Sequence, residues 1–120
     1  MSIKNIDTLF NPQRIAVIGA SEDDKSAGFH VFRNLIEKGF NGIVHPVHSS
    51  MGGVQGIEAY ETVSDIPHQI DLALVATHPE NLQAALKDCG QKGVKGVVVL
   101  APDYKYRVKH VYLISDQIKI

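Results

Sequence analysis

The sequence predicts an α/β domain with a doubly wound, mostly parallel sheet of about five strands and helices on both faces. Three observations predict it. Four apolar, largely β-branched runs occur at residues 14–20, 42–47, 70–76 and 94–101. Segments with apolar residues at helical spacing follow the first and third runs. Glycine marks the points at which these elements stop. This alternation is typical of right-handed βαβ units.

The first strand and helix are clearly marked. "RIAVIGA" at residues 14–20 is an apolar run ended by glycine, which predicts a strand buried on both faces. Ser26 is the predicted N-cap of the following helix, and Gly39 is its predicted stop. The apolar residues of that helix are Phe29, Phe32, Leu35 and Ile36.

The segment between the second and third strands is rich in glycine. Pro46, near the end of the run at residues 42–47, indicates the end of a strand and not a central position. "SSMGGVQG" at residues 49–56 predicts a mobile or tightly turned segment. "AYETVSDIP" at residues 59–67 predicts a short strand or turn that leads into an acidic helix start.

The third strand precedes a second helix. Pro79 follows Thr77 and His78, and proline is favoured at the first helical position. The apolar face of this helix ends at Cys89, which is therefore predicted to be a buried core thiol. Gly90 and Gly93 are predicted to end the helix. Residues 104–120 fit either a divergent last helix or a strand.

Composition, net charge and cysteine content limit the classes of function that the chain can have. The 120 residues are 44% hydrophobic with a net charge of −1, which predicts one domain and gives no electrostatic case for nucleic-acid binding. We expect residues 1–103 to form the domain and residues 104–120 a tail, which carries four Lys or Arg against one Asp. One cysteine excludes an internal disulfide. We find no signal peptide and no membrane span, so we expect a cytoplasmic protein.

The carboxyl ends of the strands are where doubly wound sheets bind ligands. At the first end, glycine lets the backbone approach a phosphate, and the N–H groups of the following helix attract anions. Two serine hydroxyls and a lysine add donors, whereas the acidic residues 22–24 would repel phosphate unless they face solvent. The candidate ligand-binding residues of this loop are Gly19, Ala20, Ser21, Lys25, Ser26 and Gly28.

Two observations disfavour a dinucleotide site, and a third disfavours a metal site. The G-x-G-x-x-G spacing is absent, because the next glycine after Gly19 is Gly28. The second strand ends in Pro46-Val47-His48 and lacks the acidic residue that binds the ribose of NAD. His45 and His48 lie three residues apart across a strand end and so point to opposite faces, so we predict no metal site.

Four segments in register resemble a known family. They are "LFNPQRIAVIGAS", "GFNGIVHPVHSS", "SDIPHQIDLALVATHPENL" and "CGQKGVKGVVVLA". Together they are similar to the CoA-binding domain of the NDP-forming acyl-CoA synthetases. That superfamily includes the ADP-forming acetyl-CoA synthetases, the α subunit of succinyl-CoA synthetase and part of certain bacterial protein acetyltransferases. The resemblance covers about residues 7–103 and implies a Rossmann-like domain that binds CoA or acyl-CoA.

The resemblance also implies where CoA lies. The turn at residues 19–21 and the helix start at residues 26–28 match the family's first CoA-contacting loop. Residues 46–48 match its Pro-Val-Asn, which lies along the adenosine part of CoA, with histidine in place of asparagine. The loop beside the pantetheine arm matches residues 77–79, and Ala101 stands where the family's Ser-Ala-Gly-Phe loop begins. The residues carried over from these last three segments are Pro46, Val47, His48, Thr77, His78, Pro79 and Ala101.

The departures limit the implied chemistry. Residues 101–104 lack the serine and glycine of the last loop. The phosphohistidine and ATP-grasp domains that complete the ligase reaction are not recognisable here. We therefore expect a CoA-binding module without catalytic residues, either a fragment, a subunit that needs such partners or a remnant. Two alternatives remain open: an NAD(P)-binding domain of an oxidoreductase, and a regulatory module that binds no ligand.

Overall fold

The computed structural model describes residues 11–50, 52–102 and 108–114, the last range and residues 101–102 by their backbone. It confirms the predicted α/β fold with a five-stranded sheet in the order β2-β1-β5-β6-β7. The strands are β1 (Arg14–Ile18), β2 (Ile43–Val47), β3 (Gly53–Val54), β4 (Ile57–Glu58), β5 (Leu72–Val75), β6 (Gly96–Pro102) and β7 (Val108–Ile114). The helices are α1 (Ala27–Glu37), a 3₁₀ helix (Val63–Asp65) and α2 (Pro79–Lys92).

The sheet reverses its winding direction at β1. From β1 the chain crosses through α1 to β2 on one side, and it later reaches β5 on the other side. The pairs β1–β2, β1–β5 and β5–β6 are parallel, whereas β7 runs antiparallel to β6. The point at which the strand order reverses therefore lies between β1 and β5, and four carboxyl ends share one edge of the sheet.

Both faces of the sheet are covered, as predicted. Ile15 and Val17 of β1 pack with Phe32 of α1, while Ala16 and Ile18 pack on the opposite side with Cys89 of α2. Successive strand residues point to opposite faces, so this double burial requires the continuous apolar run seen in the sequence. Ile36, which the helical spacing placed with the apolar residues of α1, is instead 41% exposed.

The two helices begin as predicted, but α2 ends later. The Ser26 hydroxyl caps α1, and Pro79 is in the first turn of α2. Gly90 lies inside α2, so the prediction that it ends the helix is wrong. The helix ends at Gly93, whose φ of +80° lets its N–H reach the Cys89 and Gly90 carbonyls at 3.1 and 3.2 Å.

The glycine-rich segment is a tight hairpin. Strands β3 and β4 pair antiparallel, and a two-residue turn joins them, with φ of +50° at Gln55 and +83° at Gly56. Two positive φ values define a type I′ turn, which matches the twist of the strands on either side. Beyond it, Tyr60 forms a parallel bridge with Val47, and the predicted helix start is only the 3₁₀ helix.

The tail adds a strand to the sheet. The sequence of residues 104–120 fits either a helix or a strand, and in the structure residues 108–114 form β7 along β6. The register between β6 and β7 shifts between Ala101 and Pro102. No helix in the part of the chain that the structure describes is long and apolar enough to cross a membrane.

Candidate functional site

The end of β1 is in direct backbone contact with the ends of both neighbouring strands. The Gly19 N–H donates to the Val47 carbonyl at 3.0 Å, and the Ala76 N–H donates to the Ile18 carbonyl at 2.8 Å. Gly19 has a φ of +94°, and a Cβ on it would lie 2.6 Å from the Ala76 oxygen. Only glycine allows this approach, so the turn after β1 is built around the absence of a side chain.

The start of α1 rests on that turn. A Cβ on Gly28 would lie 1.8 Å from the Gly19 oxygen and 2.7 Å from its carbonyl carbon. Gly28 therefore allows the first turn of α1 to touch the backbone that leaves β1. The same role falls to the third glycine of a dinucleotide fingerprint, which permits close packing of helix and strand. The chain thus keeps the packing of such a site with a different glycine spacing.

The loop between them is held by its own polar groups. The Ser21 hydroxyl accepts the Asp23 N–H at 2.9 Å, and the Asp23 carboxylate accepts the Lys25 N–H at 3.0 Å. The Ser26 hydroxyl donates to the Asp23 carbonyl at 2.8 Å and accepts the Phe29 N–H at 3.1 Å. The sequence did not explain the acidic residues 22–24. In the structure, one of them, Asp23, shapes the loop.

These bonds change what each predicted residue can offer a ligand. The Ser26 hydroxyl caps α1 by accepting the Phe29 N–H, and it donates its own proton to the Asp23 carbonyl, so that proton is not free for a phosphate. The N–H groups of Ala27 and Gly28 open α1, where no carbonyl of the helix can accept them. The loop thus carries these two N–H groups, on residues that are themselves buried, together with the half-buried Ser21 and the exposed Lys25.

The end of β2 places His48 beside the same turn. Pro46 and Val47 are buried, and His48 is half-buried. The Ser50 N–H donates to Nδ1 of His48 at 3.1 Å. This bond makes Nδ1 the acceptor, so the neutral ring carries its proton on Nε2. His48 can therefore donate a hydrogen bond to a ligand at this strand end.

The ends of β5 and β6 extend the edge in the other direction. Thr77 is half-buried, and its hydroxyl donates to the His78 carbonyl at 3.3 Å. His78 and Pro79 are exposed at the start of α2, so a second helix N-terminus lies beside the turn after β5. Ala101 is not in a loop. It belongs to β6, two residues beyond Val99, and pairs with His110 of β7.

The predicted residues therefore fall into two groups. Hydrogen-bonded neighbouring strands bring together the turn at residues 19–21, the end of β2 and the end of β5. Ala101 stands one strand further along the same edge. The sequence reasoning missed Gln55, whose side chain reaches the loop at residues 21–29 from the β3–β4 hairpin. Its position at a turn gave no signal of a contact so distant along the chain.

A second group of titratable side chains includes Arg14, at the opposite, amino end of β1. His45 of β2 is 9% exposed, accepts a hydrogen bond at Nε2 from Arg14 at 3.0 Å, and stacks on His68 with ring centroids 5.9 Å apart. Burial lowers the pKa of His45, and the charges of Arg14, His68 and Lys92 lower it further. In the described residues, no three His, Cys, Asp or Glu side chains are grouped as metal ligands.

Cys89 lies inside the core, as predicted. Its side chain is fully buried against the sheet. Burial raises the pKa of the thiol to about 12, with a smaller effect from the Asp88 carboxylate. A thiol with this pKa is protonated at neutral pH, so it is not a nucleophile.

The fold and the strand-end geometry define an α/β domain of the nucleotide-binding type, with glycine-mediated contact of helix and strand at the switch point. Comparison with known proteins makes this class specific. The chain belongs to the family of CoA-binding domains, whose model matches residues 13–112. This confirms the resemblance seen in the sequence.

The individual relatives are much longer. The α subunit of an ADP-forming acetate–CoA ligase II from Pyrococcus furiosus is 44% identical over 82% of this chain and 21% of its own length. The crystal structure of PH0766 from Pyrococcus horikoshii matches with a TM-score of 0.77 and 46% identity, over 82% of this chain and 22% of that one.

A synthetase of known structure is also similar to this chain. The dinucleotide-forming acetyl-coenzyme A synthetase 1 of Candidatus Korarchaeum cryptofilum, solved in complex with phosphate and ADP, has a TM-score of 0.78 and 37% identity. The match covers 82% of this chain and 21% of that one. The chain therefore spans about a fifth of the length of these relatives.

Proposed function

We propose that this chain binds CoA or acyl-CoA along the carboxyl ends of β1, β2, β5 and β6. One observation carries the proposal: Gly28 lets α1 touch the turn at Gly19, which stands at the switch point of the sheet. This contact directs the first N–H groups of α1 to the place where such folds hold phosphates. Membership of the CoA-binding family favours CoA over other phosphorylated ligands.

Each strand end has a role in this proposal. The CoA phosphates lie at residues 19–21 and at the Ala27 and Gly28 N–H groups, and Lys25 attracts them electrostatically. His48 donates from Nε2 to the adenosine part of the ligand. The pantetheine arm runs past residues 77–79 towards Ala101. CoA is a long ligand with an anionic end and an amide-rich arm. It therefore suits an open edge with several short loops better than a single enclosed pocket.

The module supplies binding and not chemistry. The described strand ends offer hydrogen-bond donors, and the only cysteine of the chain, Cys89 in α2, is buried in the core. We infer that residues 1–103 build the CoA site and that the tail completes the sheet. In a complete ligase the domain would offer the CoA thiol to an acyl group activated on a phosphohistidine or ATP-grasp domain. We place this reaction in the cytoplasm, without nucleic acid or membrane partners.

Calorimetric titration of the chain with CoA, acetyl-CoA, NAD and ATP tests the proposal. We expect heat of binding with CoA or acetyl-CoA and none with NAD, because β2 ends in His48 where a ribose-binding carboxylate would stand. Equal binding of CoA and acetyl-CoA would place the acyl group outside the site. No heat with CoA at millimolar concentration would refute the proposed function.

A pair of lysine variants tests where the phosphates lie. Lys25→Ala removes a charge beside the loop, and Lys87→Ala removes one from an exposed position on α2. We expect Lys25→Ala to weaken CoA binding about threefold to fivefold at low salt, as one exposed charge contributes under about 1 kcal/mol. Lys87→Ala should leave it unchanged. A substitution of Gly19 is not a clean test, because any Cβ there meets the Ala76 carbonyl.

A further inference from the structure

Gln55 is an unfavourable residue for its place in the chain. It occupies the first position of the type I′ turn between β3 and β4, with a φ of +50°. This left-handed conformation favours glycine and asparagine, and Asn-Gly is the preferred sequence for such a turn. The chain has Gln-Gly. The contacts of a side chain one methylene longer than asparagine offer an explanation.

The contacts of Gln55 lie on the β1–α1 loop. Its Nε2 donates to the Ser21 carbonyl at 3.3 Å and to the Phe29 carbonyl at 3.2 Å, so both protons of the amide are used. Its backbone N–H donates to the Glu22 carboxylate. One residue thus binds the beginning of the loop, its acidic segment and the first turn of α1, from 26 to 34 positions away in the sequence.

The rest of the hairpin is firmly attached. Val54 is fully buried against Phe32 of α1. After β4, the Tyr60 N–H donates to the Pro46 carbonyl at 3.1 Å, and the His48 N–H donates to the Tyr60 carbonyl at 2.9 Å. The segment from β3 to Tyr60 therefore connects the end of β2 to the loop after β1. Its tip is held against the loop from a fixed base.

We propose that Gln55 is a positioning residue for the CoA-phosphate loop, an inference that rests on the proposed function. By binding the Ser21 and Phe29 carbonyls together, it fixes both sides of the segment that carries Ser21, Lys25 and the first N–H groups of α1. The bond to Glu22 draws that carboxylate to the hairpin, which accounts for an acidic residue in a loop that binds an anion. Gln55 itself does not touch the ligand.

Gln55→Asn separates positioning from folding. Asparagine suits the turn at least as well as glutamine, but its shorter side chain cannot reach both carbonyls. Gln83→Asn, at an exposed position on α2, is the matched control. Gln55→Glu is a second variant with the original reach, and it places a carboxylate, which cannot donate, against the two carbonyls.

Hydrogen exchange of the ligand-free chain gives the first readout. We expect the amides of Asp23, Lys25 and Phe29 to exchange about fivefold or more faster in Gln55→Asn, which corresponds to the loss of one or two hydrogen bonds. Amides of β5 and α2 should change less than those of the loop, and the melting temperature should fall by no more than about 8 °C, so that the chain stays folded. Unchanged exchange in the loop would overturn the proposal.

Calorimetry with CoA gives the second readout. We expect CoA to bind about fivefold or more weakly to Gln55→Asn and more weakly still to Gln55→Glu, with Gln83→Asn equal to wild type. Wild-type affinity in both Gln55 variants would refute the positioning role. Failure of the wild-type chain to bind CoA would instead refute the proposed function, while the exchange measurement would still decide whether Gln55 holds the loop.

Discussion

The contact between Gly28 and Gly19 makes one substitution decisive. Gly28 is the second residue of α1, and within a helix alanine is favoured over glycine by up to about 1 kcal/mol. Helix propensity alone therefore predicts that Gly28→Ala stabilises the chain. The structure predicts the opposite, because the new Cβ would lie 1.8 Å from the Gly19 oxygen.

The magnitude follows from that distance. Real Cβ atoms essentially never approach closer than 3.0 Å, so α1 or the turn must move by about 1.2 Å. The contacting atom is the backbone oxygen of Gly19. The Gly19 N–H is bonded to the Val47 carbonyl at the end of β2, and Gly19 lies against the Ala76 carbonyl that follows β5. This oxygen therefore cannot move aside as a flexible side chain can. Overpacking of this kind costs about 1–3 kcal/mol or more. Because the clash is with backbone, we take the upper end of this range, about 3 kcal/mol, and after a gain in helix propensity of about 1 kcal/mol we expect a net loss of about 2 kcal/mol.

Thermal and urea unfolding of the chain measure this loss. A destabilisation of about 2 kcal/mol lowers the melting temperature of a domain of this size by about 8 °C. Gly90→Ala is the matched control, because Gly90 is exposed and also lies inside a helix. We expect it to raise stability by up to about 1 kcal/mol. If Gly28→Ala is as stable as wild type, α1 does not rest on the turn as described.

Two further predictions concern His45 and Cys89. Burial lowers the pKa of His45, so on acidification below about pH 6.5 the unfolded chain binds a proton at a higher pH than the folded chain. His45 therefore makes the free energy of unfolding decrease as the pH falls below that value. His45→Gln keeps an acceptor for Arg14 without titrating, and its unfolding free energy should decrease less between pH 7.5 and 5.5; equal slopes would contradict this. Because burial raises the pKa of Cys89 to about 12, its thiol should react with iodoacetamide at pH 8 about a thousandfold more slowly in the folded chain than in the urea-unfolded chain. Comparable rates in the two states would show that the side chain is not buried.

Features marked by local chemistry were predicted from the sequence. Ser26 caps α1 and Pro79 opens α2 because capping depends on groups within one helical turn. The buried strands were predicted because burial on both faces requires a continuous apolar run. Gly90 misled the prediction, since a glycine ends a helix only where the backbone turns left-handed, and that happens at Gly93.

Features that depend on distant contacts were not predictable. Gly28 was predicted to bind a phosphate, and its contact with the Gly19 backbone has no signal in the sequence. The amide of Gln55 and the pairing of Arg14 with His45 join residues 26 to 34 positions apart, and no local pattern encodes them. The apolar run predicted a strand that ends at Ala101, and the resemblance implied that a loop begins there; pairing with β7 extends the strand to Pro102.

The attachment of Tyr60 to β2 bears on aggregation. β2 is an edge strand, and exposed strand edges recruit strands from other molecules. Here the Pro46 carbonyl accepts the Tyr60 N–H, the His48 N–H is bound to Tyr60, and proline has no N–H to offer. The carboxyl half of this edge is therefore closed to a strand from another copy. This closed half of the edge lies beside the proposed ligand site, so a site open to CoA need not also be open to a strand from a second molecule.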